Sequence, residues 1–297
     1  MIEQFVSDMS FEGQQYAVIV RAPVSSGIIS AVHLPPLPEG YAFYGAAQLP
    51  AQKTIDIFEH SLPLFAADEI EYKEQAVGIL TGDNEATLEA LRKDITIELE
   101  PIPEDSFEAG RTHTLFDYPI VAREARTAGD IDSIFETASS TVFSSLKVAS
   151  QYAVRSEPFS AVTVFREDGI DVYVPTQWPF HVRASVAKAT GFAEEAVVVH
   201  PTQTGETFNE LLWYPSILAC QCAVAAVLQR NTVSLNLSPE ESRAAAPKTP
   251  EKRSTNCYGI RPSLPVSAPL QRCCSGKPFR SIYRRKRAER RRLKRRR

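Results

Sequence analysis

The stretch from residue 176 to 209 constrains the fold more than any other part of the chain. Pro179 suits the first turn of a helix, because it has no N–H to leave unbonded there and its φ is already close to helical. The amphipathic pattern that follows stops near Gly191, the residue type best suited to the left-handed turn that ends a helix. Residues 196–199 then read as a short apolar strand, and Thr204, Gly205, Glu206, Thr207, Phe208 and Asn209 as a loop.

With 297 residues the chain has room for two domains, each with its own core. A hydrophobic content of 43% and a charged content of 23% are ordinary for a soluble globular protein. No apolar run approaches the roughly 20 residues that span a bilayer. The first eight residues carry acids and no basic region, so no secretory signal is expected, and a cytoplasmic setting is the default. The formal net charge of −3 hides a division. Residues 271–297 hold 14 Lys and Arg against Glu289 alone, a net of +13, which leaves the remainder at −16. An acidic body carrying a basic terminus needs two explanations. The five cysteines (Cys220, Cys222, Cys257, Cys273 and Cys274) are odd in number and lack paired C-x-x-C spacing. Neither a disulfide framework nor a zinc ribbon is expected, and Cys220 and Cys222 read as small apolar helix residues. The histidines are scattered without H-x-x-x-H spacing, and no G-x-S-x-G elbow, Walker loop or G-x-G-x-x-G is present.

The organisation reads as follows. Residues 1–112 form a small α+β domain. Its strands fall at 15–20, 28–34, 76–80 and 95–99, and a helix capped by Asn84 joins the last two into a β-α-β unit. Residues 113–147 are a polar connection, with a helix after Gly129 and Asp130. Residues 148–255 hold a hairpin (160–165 and 170–174 about the turn Arg166, Glu167, Asp168, Gly169), a nearly all-apolar buried helix over 217–228 and a strand over 232–237. Residues 256–297 show neither helical nor strand periodicity and are expected to be disordered.

The order Thr176, Gln177, helix, strand, Gly205 to Phe208 resembles the first molybdopterin-contacting segment of the xanthine dehydrogenase and aldehyde oxidase family. There a Thr-Gln pair leads through a helix and strand into a G-G-G-F-G loop. Gln177 matches the glutamine, Gly205 the first loop glycine and Phe208 the loop phenylalanine, while Glu206, Thr207 and Asn209 stand where glycines are usual. An ordered series in the first domain supports the resemblance to that family's a/b hammerhead domain. It comprises Phe5 to Asp8, Arg21-Ala22-Pro23, Gly27-Ile28-Ile29, Leu49-Pro50, Pro63 to Ala66, and Ile70, Tyr72, Gln75 and Val77. The fold class implied is α+β: a hammerhead-like N-terminal domain, then an incomplete mixed α/β molybdopterin-binding domain and a disordered basic tail.

The resemblance also implies a cofactor and an activity. These are molybdopterin, in its dinucleotide form, and oxidative hydroxylation of a purine, another N-heterocycle or an aldehyde, with electrons leaving through 2Fe-2S clusters and FAD on partner subunits. Gln177, Gly205 and Phe208 are the cofactor contacts it implies. A neutral amide such as Gln177 can donate a hydrogen bond to the cofactor without adding charge; the plainer alternative is that Gln177 caps the helix. Glycine loops admit anions because missing Cβ atoms let backbone N–H groups approach. A carboxylate such as Glu206 beside a pyrophosphate would repel it by about 1 kcal/mol, so Glu206 turns away or hydrogen-bonds a pterin or substrate N–H. A plain surface loop is the alternative here. His181 lies one turn beyond the Thr-Gln pair, either facing the same pocket or exposed on its helix.

The family's general base lies near the far end of a longer subunit, so no catalytic residue is assigned, and the chain alone is expected neither to hold cofactor tightly nor to turn over substrate. Residues 251–255 resemble a basic turn of the family, after which the pattern stops. The Arg-rich run is expected from a shifted reading frame or truncation. The alternative is a non-enzymatic protein that grips nucleic acid through a real basic arm.

Overall fold

The computed structural model describes residues 4–58, 60–100, 138, 140–149, 157–205, 210–246 and 252–260. The chain divides into two compact units, one of residues 1–111 with 152–247 and one of residues 112–151 with 248–297.

In chain order the strands are β1 Gln15–Arg21, β2 Gly27–His33, β3 Ala42–Gly45, β4 Thr54–Ile57, β5 His60–Pro63, β6 Glu69–Ile70, β7 Ala76–Gly82, β8 Thr96–Glu100, β9 Ser140–Val148, β10 Ser160–Arg166, β11 Gly169–Val174, β12 Val197–Pro201, β13 Val233–Asn236 and β14 Lys252–Ile260. The helices are α1 Glu85–Asp94, α2 Pro179–Thr190, α3 Glu210–Gln229 and α4 Pro239–Ala245.

The first unit is built on a seven-stranded sheet of order β12-β11-β10-β13-β1-β7-β3. Strand β1 lies parallel to β13 and antiparallel to β7, so this one sheet draws strands from both sides of the boundary expected between residues 112 and 148. Its central strand shows why. Ala17 and Ile19 face a core shared with α2 and α3, while Val18 and Val20 face Leu80 and Leu88 under α1. A strand buried on both faces reads as a continuous apolar run, which is how residues 17–20 read. The expected β-α-β unit needs correction: β7 belongs to this sheet, whereas β8 pairs with β2 in a separate sheet of order β6-β2-β8. Local pattern carries the elements but not their sheet partners.

Helix α1 starts at Asn84, whose side chain accepts the Thr87 N–H at 3.0 Å, as expected. Helix α2 ends as expected at Gly191, which has φ 82. Helix α3 begins seven residues earlier than the sequence suggested and carries Pro215 inside it. Among the described residues α3 is also the one helix long and apolar enough to cross a membrane by composition, correcting the earlier count of apolar residues. In this fold it is the central core helix, with Leu218, Cys220, Cys222 and Val224 fully buried or nearly so.

In the second unit β9 and β14 pair antiparallel over nine residues, from Ser140 opposite Ile260 to Val148 opposite Lys252. Residues 252–255 are therefore strand and not a turn, and the strand runs five residues past the limit expected at 255. The partner segments are over a hundred residues apart, a pairing that no local window registers. The helix expected after Gly129 and the whole Arg-rich terminus lie outside the described residues.

Candidate functional site

Strands β11 and β12 are parallel, with Ile170 opposite Val197 and Val174 opposite Pro201. The loops carrying Gln177 and Gly205 therefore leave the sheet at the same end, the carboxyl end, where open α/β sheets place ligands. The Thr202 N–H extends the pairing to the Val174 carbonyl at 3.5 Å.

Gln177 is exposed, on a backbone held from several directions. Its own N–H donates to the Leu211 carbonyl at 3.0 Å, and the next N–H, of Trp178, donates to Thr176 Oγ1 at 3.0 Å. The N-cap of α2 is Trp178, with no side-chain cap, so Gln177 does not cap that helix. Leu211 is free to accept because of Pro215: an α-helix bonds each N–H to the carbonyl four residues back, and Pro215 has none to offer. A proline inside a helix costs about 3 kcal/mol.

The Trp178 ring stacks on two others. It stacks on His181 at 4.1 Å and 22° and on Phe58 at 5.7 Å and 29°. His181 Nε2 is 2.8 Å from the Asp56 carbonyl, which can only accept, so Nε2 carries the hydrogen and Nδ1 accepts from the Ser216 hydroxyl at 2.7 Å. Neither expectation for His181 holds. It ties α2 to β4 and α3, a role set by segments 125 and 35 residues away and so absent from the local pattern. Phe58, 71% exposed, turns the β4–β5 hairpin at φ 54, a conformation costing a bulky residue about 1–2 kcal/mol.

Gly205 is also left-handed, at φ 57; an added Cβ would stand 3.5 Å from Glu157 Oε2 and 3.6 Å from the Phe5 ring, so space permits a side chain but the backbone disfavours one. Phe208 and Glu206 lie outside the described residues. The structure thus brings Gln177 and Gly205 to one end of one strand pair and leaves the third expected contact undescribed.

Two polar atoms near this end, missed by sequence reasoning, bear on what could bind. The Thr202 hydroxyl, fully buried, and Oε1 of Glu210, a residue 4% exposed at the start of α3, have no hydrogen-bond partner among the described residues. Buried polar atoms of this kind are costly unless something satisfies them. With the exposed Gln177 amide they make a donor and acceptor set that fits a polar, hydrogen-bonding cofactor.

A family model described as molybdopterin cofactor-binding domain matches residues 116–261, which include both loops. Aldehyde oxidase 1 of Rattus norvegicus is 26% identical over 183 residues, and xanthine dehydrogenase of Blastobotrys adeninivorans 27% over 191. Over these stretches the chain is similar to members of the xanthine dehydrogenase and aldehyde oxidase family. Those alignments cover 60% and 62% of this chain but 13% of each relative, so it corresponds to a small part of their length. The fold agrees with molybdenum hydroxylase large subunits. Quinoline 2-oxidoreductase from Pseudomonas putida 86 superposes with a TM-score of 0.71 at 18% identity, over 87% of this chain and 35% of that one. The aldehyde oxidoreductase of Desulfovibrio gigas gives 0.66 at 16%, over 85% and 30%.

Proposed function

We propose that this chain supplies part of the cofactor-binding body of a xanthine dehydrogenase or aldehyde oxidase-type hydroxylase. Its own contacts with molybdopterin are Gln177, Gly205 and Phe208. The observation that carries the reading is the meeting of the Gln177 and Gly205 loops at the carboxyl ends of β11 and β12, within the stretch matched by the cofactor-domain family. When bound, the molybdenum cofactor supplies oxidative hydroxylation of an N-heterocycle or aldehyde, with water as the oxygen source.

The chain's residues hold and orient. The Gln177 carboxamide donates to or accepts from the cofactor without adding charge, and its fixed backbone limits the directions in which it can do so. The left-handed turn at Gly205, with no Cβ, lets its own backbone approach closely. Thr202 and Glu210 offer a hydroxyl and a carboxylate oxygen to cofactor N–H or O–H groups. The dinucleotide form of the cofactor, partner subunits with FAD and 2Fe-2S clusters, and a cytoplasmic setting belong to the same proposal.

The chain alone contributes a minority of the contacts, so it binds weakly and turns nothing over. Titration of the purified chain with molybdopterin under anaerobic conditions, followed by quenching of Trp178 fluorescence, tests this. Weak saturable quenching that disappears in Gln177→Ala is expected. No quenching, or identical quenching in the variant, would refute the reading.

A further inference from the structure

We infer that Pro215 and Phe58 are positioning residues for Gln177: each accepts a local backbone penalty so that the Thr176-Gln177-Trp178 turn is held in one geometry. The inference rests on Gln177 being a cofactor contact.

Pro215 is the first part. Without an N–H it leaves the Leu211 carbonyl, four residues back, without its intrahelical donor. Such carbonyls inside a protein need a partner. Here the partner is the Gln177 N–H at 3.0 Å, a bond between α3 and a loop 34 residues earlier. An alanine at 215 would restore the helix's own donor and place it in competition for the same oxygen. The proline thus converts a helix carbonyl into an anchor for the turn.

Phe58 is the second part, on the other side of the same turn. Ile57 pairs with His60, so the hairpin loop is two residues long. Loops of that length favour Asn or Gly at a first position with positive φ. Phe58 occupies that position at φ 54 and leaves most of its ring in water, which neither turn chemistry nor burial favours. What its ring does gain is a stacking contact with Trp178, whose ring also stacks on His181. His181 is in turn fixed by the Asp56 carbonyl, two residues before Phe58, and by Ser216, the residue after Pro215. Two unfavourable local choices from separate segments therefore converge on one three-residue turn, and strain kept at such a point marks a positional demand.

The test is hydrogen exchange on the full, cofactor-free chain, read at the Gln177 and Trp178 amides, alongside melting temperature and the molybdopterin titration. Pro215→Ala is expected to melt at or above the wild-type temperature, because a helix bond is gained. Its Gln177 amide should exchange about tenfold faster, the loss of one modest hydrogen bond. Phe58→Asn should likewise keep or raise the melting temperature while speeding exchange at Trp178. Both should weaken quenching by molybdopterin. Unchanged exchange in both variants overturns the inference, as does faster exchange accompanied by a lower melting temperature, which is general loosening. Wild-type cofactor titration despite faster exchange overturns it too. If Gln177→Ala itself titrates like wild type, the cofactor reading has failed and the exchange result stands apart from it.

Discussion

Replacing Gly169 with alanine should unseat the strand that delivers the Gly205 loop. Gly169 opens β11 beside the start of β12, and a Cβ built on it would lie 2.2 Å from the Ala196 carbonyl oxygen and 3.1 Å from its carbonyl carbon. The obstacle is backbone, so no rotamer change relieves it. Restoring an ordinary contact requires the strand to retreat by about 1 Å, an overpacking that costs about 1–3 kcal/mol. That retreat also weakens the first pairing of the ladder, Ile170 with Val197, and one backbone hydrogen bond is worth about 1 kcal/mol net. The sum is about 3 kcal/mol, or a fall of about 6–12 °C in melting temperature for a unit of this size. Gly13→Ala is the control. Its φ is 68 and nothing lies within 4 Å of an added Cβ, so it meets left-handed strain alone, about 1 kcal/mol and about 2–4 °C. Thermal unfolding by circular dichroism, with exchange at residues 197–201, measures both. A Gly169→Ala protein that melts no lower than the Gly13→Ala protein, with β12 still protected, would refute the steric reasoning.

Gln221 is 2% exposed and donates from Nε2 to the Leu64 carbonyl at 2.7 Å; Gln221→Ala should lower stability by about 1–3 kcal/mol in urea unfolding by leaving that carbonyl unpaired. The Cys220 and Cys222 thiols are fully buried, and burial pushes the Cys222 thiol up to about 12; peptide mapping after iodoacetamide treatment at pH 8 should find both unlabelled until the chain is unfolded. Burial raises the pKa of Tyr214 above 10.0, so its contribution is fully present below pH 10 and is lost as pH rises above that value. Tyr214→Phe should accordingly flatten the decline of melting temperature above pH 10, and an equally steep decline in the variant would count against that cause.

Much of the secondary structure was legible because local periodicity and end signals carry it. Asn84 and Gly191 mark a helix start and a helix end that the structure shows at those residues, and the alternation about Gly169 yields the β10–β11 hairpin. The site was legible in part. Gln177 and Gly205 were proposed from their order relative to a helix and a strand, and the parallel pairing of β11 and β12 brings their loops to one end. Thr202, Glu210 and His181 went unrecognised in their structural roles, since what distinguishes them is an unpartnered buried atom or a bond to a distant segment. The early start of α3 was not legible either: the helix runs from Glu210 through Pro215, carried by burial of most of its length.

By itself the sequence determined several of the helices and strands, their apolar faces and which family's motif order the chain resembles, because those depend on neighbours a few residues apart. Tertiary structure alone decided that β1 joins β13 in one sheet, that β9 finds β14, and that a proline-freed carbonyl holds Gln177. Those choices turn on contacts between residues tens to hundreds of positions apart, where the energy of pairing depends on what the folded chain places opposite each strand and not on the strand's own composition.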